Sequence, residues 1–270
     1  MRVLSIIAMK GGVGKSISSI NMSYQLAAGH NKRVLLIDND KQGNASKHFN
    51  RHSYDSNGTA ELMTERRVNM RSLIQHTDYD NLDIITANMN LLSANLQVML
   101  DQVRPQQTRF AKAFEQIRDD YDYVIIDNAP DINISTINAL VASDDVLVPV
   151  IIDDYSIEGL AELKEQIDNT KEDLNENLNF LGCFVTHFDR ANDTDGIEYI
   201  KSLGYPVLDT VIHKTPKVKE STFAREPLMT YSKRCKASAD YKALVEEYLM
   251  LQCPNRTLQD RGIARWGNLI

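Results

Sequence analysis

Seven consecutive residues, Lys10-Gly11-Gly12-Val13-Gly14-Lys15-Ser16, have the composition of an anion cradle. Their glycines free the backbone to curl, so that successive N–H groups converge on one anion. A helix beginning at the Lys-Ser pair adds partial positive charge at its N-terminus. In such a loop Lys15 reaches the β- and γ-phosphates of a bound polyphosphate, and the Ser16 hydroxyl holds Mg²⁺. Carboxylates occur where that chemistry needs them. An apolar run ends in Asp38-Asn39-Asp40, and a second ends in Asp127-Asn128-Ala129-Pro130. Open α/β sheets bind ligands outside the carboxyl ends of their strands. There one carboxylate orders the water shell of a metal and another orients an attacking water.

The loop and the carboxylates have to be held by strands and helices in alternation. Short β-branched runs predict strands over 3–9, 33–38, 82–87, 123–127, 146–152, 178–187 and 207–213. Several are nearly all apolar, as in Val34-Leu35-Leu36-Ile37 and Val124-Ile125-Ile126, which is the pattern of parallel strands covered on both faces. Pro149 places its strand near an edge or at a bulge. Ile17, Ile20, Tyr24 and Ala27 recur at helical spacing after Ser16, with Gly29 as the stop. Further helices are predicted over 156–174 and 238–251, and the polar stretch 50–70 reads as a long loop or short helices near the site. The expected fold is an α/β, doubly wound, mostly parallel sheet with helices on both faces. Residues 1–253 form a single domain in this reading, followed by a loosely attached tail, 254–270.

Composition narrows the function. The chain has 270 residues, 43% of them apolar and 25% charged, which excludes collagen-like and disordered classes. Its three cysteines, Cys183, Cys235 and Cys253, include no C-x-x-C pair, so a reducing cytosol fits better than a disulfide framework. No run of 18 apolar residues is present, and residues 3–9 lack the cleavage site of a signal peptide. Net charge is −7, yet residues 213–236 carry a local excess of five positive charges, from Lys214, Lys217, Lys219, Arg225, Lys233, Arg234 and Lys236 against Glu220 and Glu226. Such polarity suits a one-sided surface for nucleic-acid phosphates.

The usual phosphate loop has glycine where this chain has Met9, and the added lysine at Lys10 makes the deviant Walker A form of the P-loop. With the blocks at 33–44, 121–130, 157–160, 186–190 and 212–228, the sequence resembles the ParA/MinD family of P-loop NTPases. Within that family it is most similar to the ParA (Soj-like) partition ATPases. The resemblance implies a slow, Mg²⁺-dependent ATPase whose two subunits sandwich two ATP molecules. Lys10, Gly11, Gly12, Val13, Gly14, Lys15, Ser16 and Ile17 would hold the nucleotide, with Thr186 and His213 as positional candidates for the base. Lys10 would cross to the partner subunit's phosphates. Lys10, Lys15 and Asp40 would be catalytic, Asp40 by positioning water, and Ser16, Asp38 and Asp127 would serve Mg²⁺, the two aspartates mostly through water. The basic residues of 213–236 would hold double-stranded DNA without sequence preference. A ParB-like centromere-binding protein would stimulate hydrolysis, in a cytoplasmic, nucleoid-associated system that segregates or positions a plasmid, chromosome or mobile element.

The chain departs from the family pattern at three points. Lys41 replaces the proline of Asp-x-Asp-Pro-Gln-Gly-Asn, Asp131 stands where serine is common, and Ile212-His213-Lys214-Thr215 replaces Ile-Pro-Arg-Asn. Asp131 can either tune Mg²⁺ or cap the next helix. The alternative reading is a MinD-like ATPase that cycles on membranes. It would use a tail with Leu258, Ile263, Trp266, Leu269 and Ile270, which Gly262 and Gly267 interrupt. A reductase of the nitrogenase iron-protein type needs cluster-ligating cysteines at the subunit interface. An amide-forming synthetase of related fold needs a substrate site for which no residue speaks.

Overall fold

The apolar runs become the centre of one sheet. In the computed structural model, which describes residues 1–252, seven strands lie in the order β3-β4-β2-β5-β1-β6-β7. They are β1 Arg2–Ile6, β2 Val34–Asn39, β3 Gln75–His76, β4 Leu82–Ile85, β5 Tyr123–Asn128, β6 Asp145–Val150 and β7 Asn179–Val185. All pair in parallel except β3, an antiparallel two-residue edge that is too short to leave a periodic signal. The tail 254–270, with Trp266, lies outside the described residues.

Side-chain alternation explains why both faces must be covered. Leu4, Ile6, Val34, Leu36, Tyr123, Ile125, Leu147 and Phe184 point to one face. Helices α1 (Lys15–Tyr24) and α12 (Lys236–Leu251) cover it with Ile20, Met22, Tyr241, Leu244, Val245 and Tyr248. A single π-helical turn, Gln25–Gly29, closes α1 where Gly29 was expected to stop it. Leu35, Ile37, Val124 and Ile126 point to the other face. Under it lie short helices α3 (Thr59–Thr64), α4 (Met70–Leu73), α5 (Asn90–Leu100), α6 (Arg109–Phe114) and α7 (Ile134–Ala142). Toward β7 the same side is covered by α8 (Asp154–Asp173) and α9 (Arg190–Ser202) through Leu160, Leu163, Ile167 and Ile200. The remaining helices, α2 (Asn44–His48), α10 (Pro216–Ala224) and α11 (Leu228–Tyr231), are short pieces around the carboxyl ends of the strands and the base of α12.

Two local features test the sequence reading. β6 lies next to the edge strand and shifts register between Val146 and Leu147. Its pairing with β1 ends at Leu147, so the missing N–H of Pro149 falls past that ladder. The strand predicted over 207–213 is corrected. That segment runs beside β7 but touches it only in isolated bridges, Cys183 to Val207 and Phe188 to His213. The Glu247 carboxylate explains the break, because it accepts the N–H groups of Asp209 (2.8 Å) and Thr210 (2.9 Å) and draws them out of the ladder.

Leu36 sits fully buried in β2, the strand that carries one acidic station and pairs with β5, which carries the other. Leu36→Ala is expected to destabilise the protein by about 3 kcal/mol. A urea melt should show this as a lower midpoint with an unchanged slope.

Candidate phosphate-binding site

The loop between β1 and α1 takes the shape its glycines permit. Gly12 (φ 79°) and Gly14 (φ 89°) are left-handed, and a β-carbon at Gly12 would meet nothing within 4 Å. Backbone conformation, rather than crowding, therefore demands glycine at 12. No side chain caps α1, so its first amides face the loop unpaired by a cap. Thr186, just past β7, donates its hydroxyl to the carbonyls of Val13 (2.8 Å) and Val150 (3.2 Å) and so ties the loop to the sheet. Lys15 reaches back across the loop and donates to the Lys10 carbonyl at 2.9 Å. Burial lowers the Lys15 pKa, and Asp127, Asp40 and Asp131 oppose that shift.

Those aspartates stand where β2 and β5 end. Asp38 and Asp127 are register partners on adjacent strands, and both are fully buried. Burial raises the pKa of each, and each like-charged neighbour raises it further: Asp38 for Asp127, Asp40 for Asp38. Their partners differ. Asp38 Oδ1 accepts from the Asp40 N–H (3.2 Å), and Oδ2 accepts from the N–H (2.8 Å) and hydroxyl (2.7 Å) of Ser46 in α2. The Ser46 hydroxyl in turn accepts from the Ala87 N–H at 2.9 Å. Asp38 thus anchors the loop that follows β2. Asp127 Oδ1 accepts from Ser19 at 3.1 Å, while Oδ2 is buried with no partner. That orphaned oxygen, beside Lys15 and Ser16, is one that a bound divalent cation would satisfy. Asp40 accepts from the Gln42 N–H at 2.9 Å and faces the open cleft.

The cleft has a volume of about 760 Å³. Gly11, Gly12, Gly14, Lys15, Ser16 and Ile17 line it on one side and Asp40, Gln42 and Asn44 on another. Its apolar end is made by Ile20, Val218, Thr222 and Phe223, with His48, His187 and Arg225 nearby. Sequence reading missed the α10 contribution. The signal was there in the spacing of Val218 and Thr222, which puts them on one helical face, with Arg225 following as the left-handed C-cap.

Several expected residues do other work. Thr186 spends its hydroxyl on the loop, and His213 is not part of the cleft wall. His213 Nδ1 lies 2.9 Å from Asp240, its backbone N–H donates to the same carboxylate at 3.0 Å, and its ring meets Phe188 edge-on. It locks α12 to the segment beside β7, and neighbouring His187 faces the cleft instead. Lys10 is turned out of the cleft: its Nζ lies 2.5 Å from Asp153, which caps α8, and 5.7 Å from the centre of the Tyr155 ring. Asp131 does not itself cap α7: Asn133 does, and the Asp131 carboxylate accepts from the Asn133 side-chain amide. It also lies 3.9 Å from Lys41, so two of the chain's departures from the family pattern face each other across the site.

All seven basic side chains of 213–236 are exposed. Lys217 pairs with Glu220 and Lys236 with Asp240. Arg225, exposed like the others, also lines the cleft and donates to Asn50. Among the described residues no helix is long and apolar enough to cross a membrane.

A family model described as an AAA domain matches residues 1–180. The sporulation initiation inhibitor protein Soj of Bacillus subtilis is 32% identical over 250 residues, which cover 91% of this chain and 97% of Soj. The chromosome partitioning protein ParA of Caulobacter vibrioides is 32% identical over 264 residues, covering 92% of this chain and 94% of that protein. Among solved structures, the cell division ATPase MinD of Pyrococcus furiosus has a TM-score of 0.76 at 20% identity and covers 93% of this chain and 99% of its own. Cobyrinic acid a,c-diamide synthase of Mycobacterium smegmatis, with bound ADP and magnesium, has a TM-score of 0.82 at 23% identity and covers 94% and 96%. At these identities the two structures share the fold, and nothing in them transfers a substrate. The loop, the paired strand-end aspartates and the relatives along nearly the whole chain agree: this protein belongs to the AAA-domain family and is a P-loop ATPase of the ParA/MinD type.

Proposed function

We propose that the protein binds Mg-ATP in the cleft, pairs with a second copy across the nucleotide, and in that state holds double-stranded DNA without sequence preference. It hydrolyses ATP slowly, and a ParB-like centromere-binding protein accelerates that step. The cycle segregates or positions a plasmid, chromosome or mobile element, in keeping with its partition-ATPase relatives. One observation carries the nucleotide part: the unpartnered Asp127 oxygen buried at the base of a glycine cradle, beside Lys15 and Ser16.

The residues divide the work. The loop amides and Lys15 bind the β- and γ-phosphates, and the apolar end of the cleft takes the base. Ser16 and Asp127 hold Mg²⁺, which when bound neutralises phosphate charge. Asp38 acts at one remove, because its oxygens are committed to Ser46 and to the Asp40 amide. By fixing that turn it positions Asp40, which orients the attacking water. Lys10 exchanges its Asp153 counter-ion for the partner subunit's phosphates, as an arginine finger does. Lys214, Lys219, Lys233 and Arg234 supply the DNA contacts, with Lys217 and Lys236 available once their carboxylate partners release them.

Asp40→Ala should retain ATP binding while hydrolysis falls by about 100-fold or more. A phosphate-release assay beside a nucleotide titration checks this, and an unchanged rate removes the water-positioning role. For the DNA part, fluorescence anisotropy of a random-sequence duplex should rise with Mg-ATP and stay low with Mg-ADP or no nucleotide. The logarithm of affinity should fall with the logarithm of salt by roughly one unit for each phosphate neutralised. Lys233→Ala with Arg234→Ala should reduce that slope by about two.

A further inference from the structure

Among the described residues, a row of exposed apolar side chains lies along α5, on the length of the helix that leads away from the loop after β2. Leu91, Ala94 and Val98 bury one side of this helix in the core. The outer side carries Met89, Leu92, Leu96 and Met99, exposed by 43%, 46%, 59% and 59%, and Leu100 and Val103 extend the patch at 79% and 80%. Together these side chains expose roughly 600 Å² of apolar surface, the upper end for a typical monomer and close to one partner's share of a standard protein interface.

Three further observations bear on what covers it. The first four residues recur at intervals of three, four and three, the spacing of an a/d seam that packs against another helix. The sequence of α5, NLLSANLQVML, has no charged residue. The seam is therefore flanked by Asn90, Ser93, Asn95 and Gln97, and nothing there attracts an acidic or basic partner or repels an identical helix. The end of the helix is also held firm: Asp101 accepts from Arg104 (2.7 Å) and Arg109 (2.8 Å), and Arg104 donates to the Thr64 carbonyl at the end of α3 (3.0 Å). The ridge is thus presented by a fixed element rather than by a loose loop.

We propose that α5 is a second self-association surface, on which two copies of this chain pair antiparallel about a two-fold axis near Leu96 and Met99. Such a pair is isologous, so one uncharged seam serves both copies, and doubling the patch reaches the area a small stable interface needs. The contact needs no nucleotide. It lies on the sheet face opposite α1 and centres about 12 Å along α5 from the end of the helix that starts beside the cleft, apart from a pairing across the nucleotide. Two different self-contacts on one chain join pairs into larger assemblies.

Sedimentation equilibrium of the full chain without nucleotide, between roughly 1 and 100 µM, spans the affinities expected of an interface this size. The wild type should approach twice the chain mass at the upper end. Leu96→Glu with Met99→Glu should stay monomeric, with association weakened at least about ten-fold. Both side chains are exposed, so the thermal midpoint and ATP binding should match the wild type. Met99→Cys should give a nucleotide-independent dimer with a short bismaleimide, and Tyr199→Cys, exposed on α9, should not. A wild type that stays monomeric throughout, or a doubly substituted protein that associates like the wild type, overturns the proposal. So does cross-linking of Met99→Cys only to some other protein added from a cell extract.

Discussion

Two carboxylates buried side by side set the terms for the rest of this structure. Asp38 and Asp127 end adjacent parallel strands, out of contact with solvent. Burying either charge costs several kcal/mol unless donors or cations repay it. For Asp38 the fold supplies the donors, through Ser46 and the turn at Asp40. For Asp127 it supplies the Ser19 hydroxyl, with the Ser16 hydroxyl and the Lys15 ammonium close by, and leaves one oxygen without a partner. The incomplete half is where a ligand contributes binding energy, and the completed half holds the loop that carries Asp40.

The phosphate loop extends the same logic to anions. Its left-handed glycines, the uncapped start of α1 and the buried Lys15 gather positive potential directly above the aspartates. Thr186 fixes the loop to β6 and β7, so the two halves of the sheet meet at the site. Lys41 and Asp131 add a contact between the loops after β2 and β5. At 3.9 Å and half exposed it is worth well under about 1 kcal/mol.

Much of this was legible in the residues. Glycines before a Lys-Ser pair, apolar runs without alternation, and aspartates at their ends correspond to backbone rules that act locally, and each appears where it was read. What was not legible depends on partners distant in sequence. The segment 207–213 has strand composition but loses its ladder to Glu247, some 40 residues later. His213 was a positional candidate for the base, yet Asp240 claims its ring and backbone. The apolar end of the cleft comes from α10, whose facing residues become a wall only once the helix is seated. The exposed seam on α5 follows a helical period that by itself reads as core.

The open oxygen of Asp127 should make ATP binding depend on Mg²⁺. Calorimetric titration of ATP into the wild type and into Asp127→Asn, each with Mg²⁺ and with EDTA, tests it most directly. Mg²⁺ should tighten binding to the wild type by at least about ten-fold, or 1.4 kcal/mol, and Asp127→Asn should bind ATP with little difference between the two conditions. Equal Mg²⁺ enhancement in both proteins would contradict it.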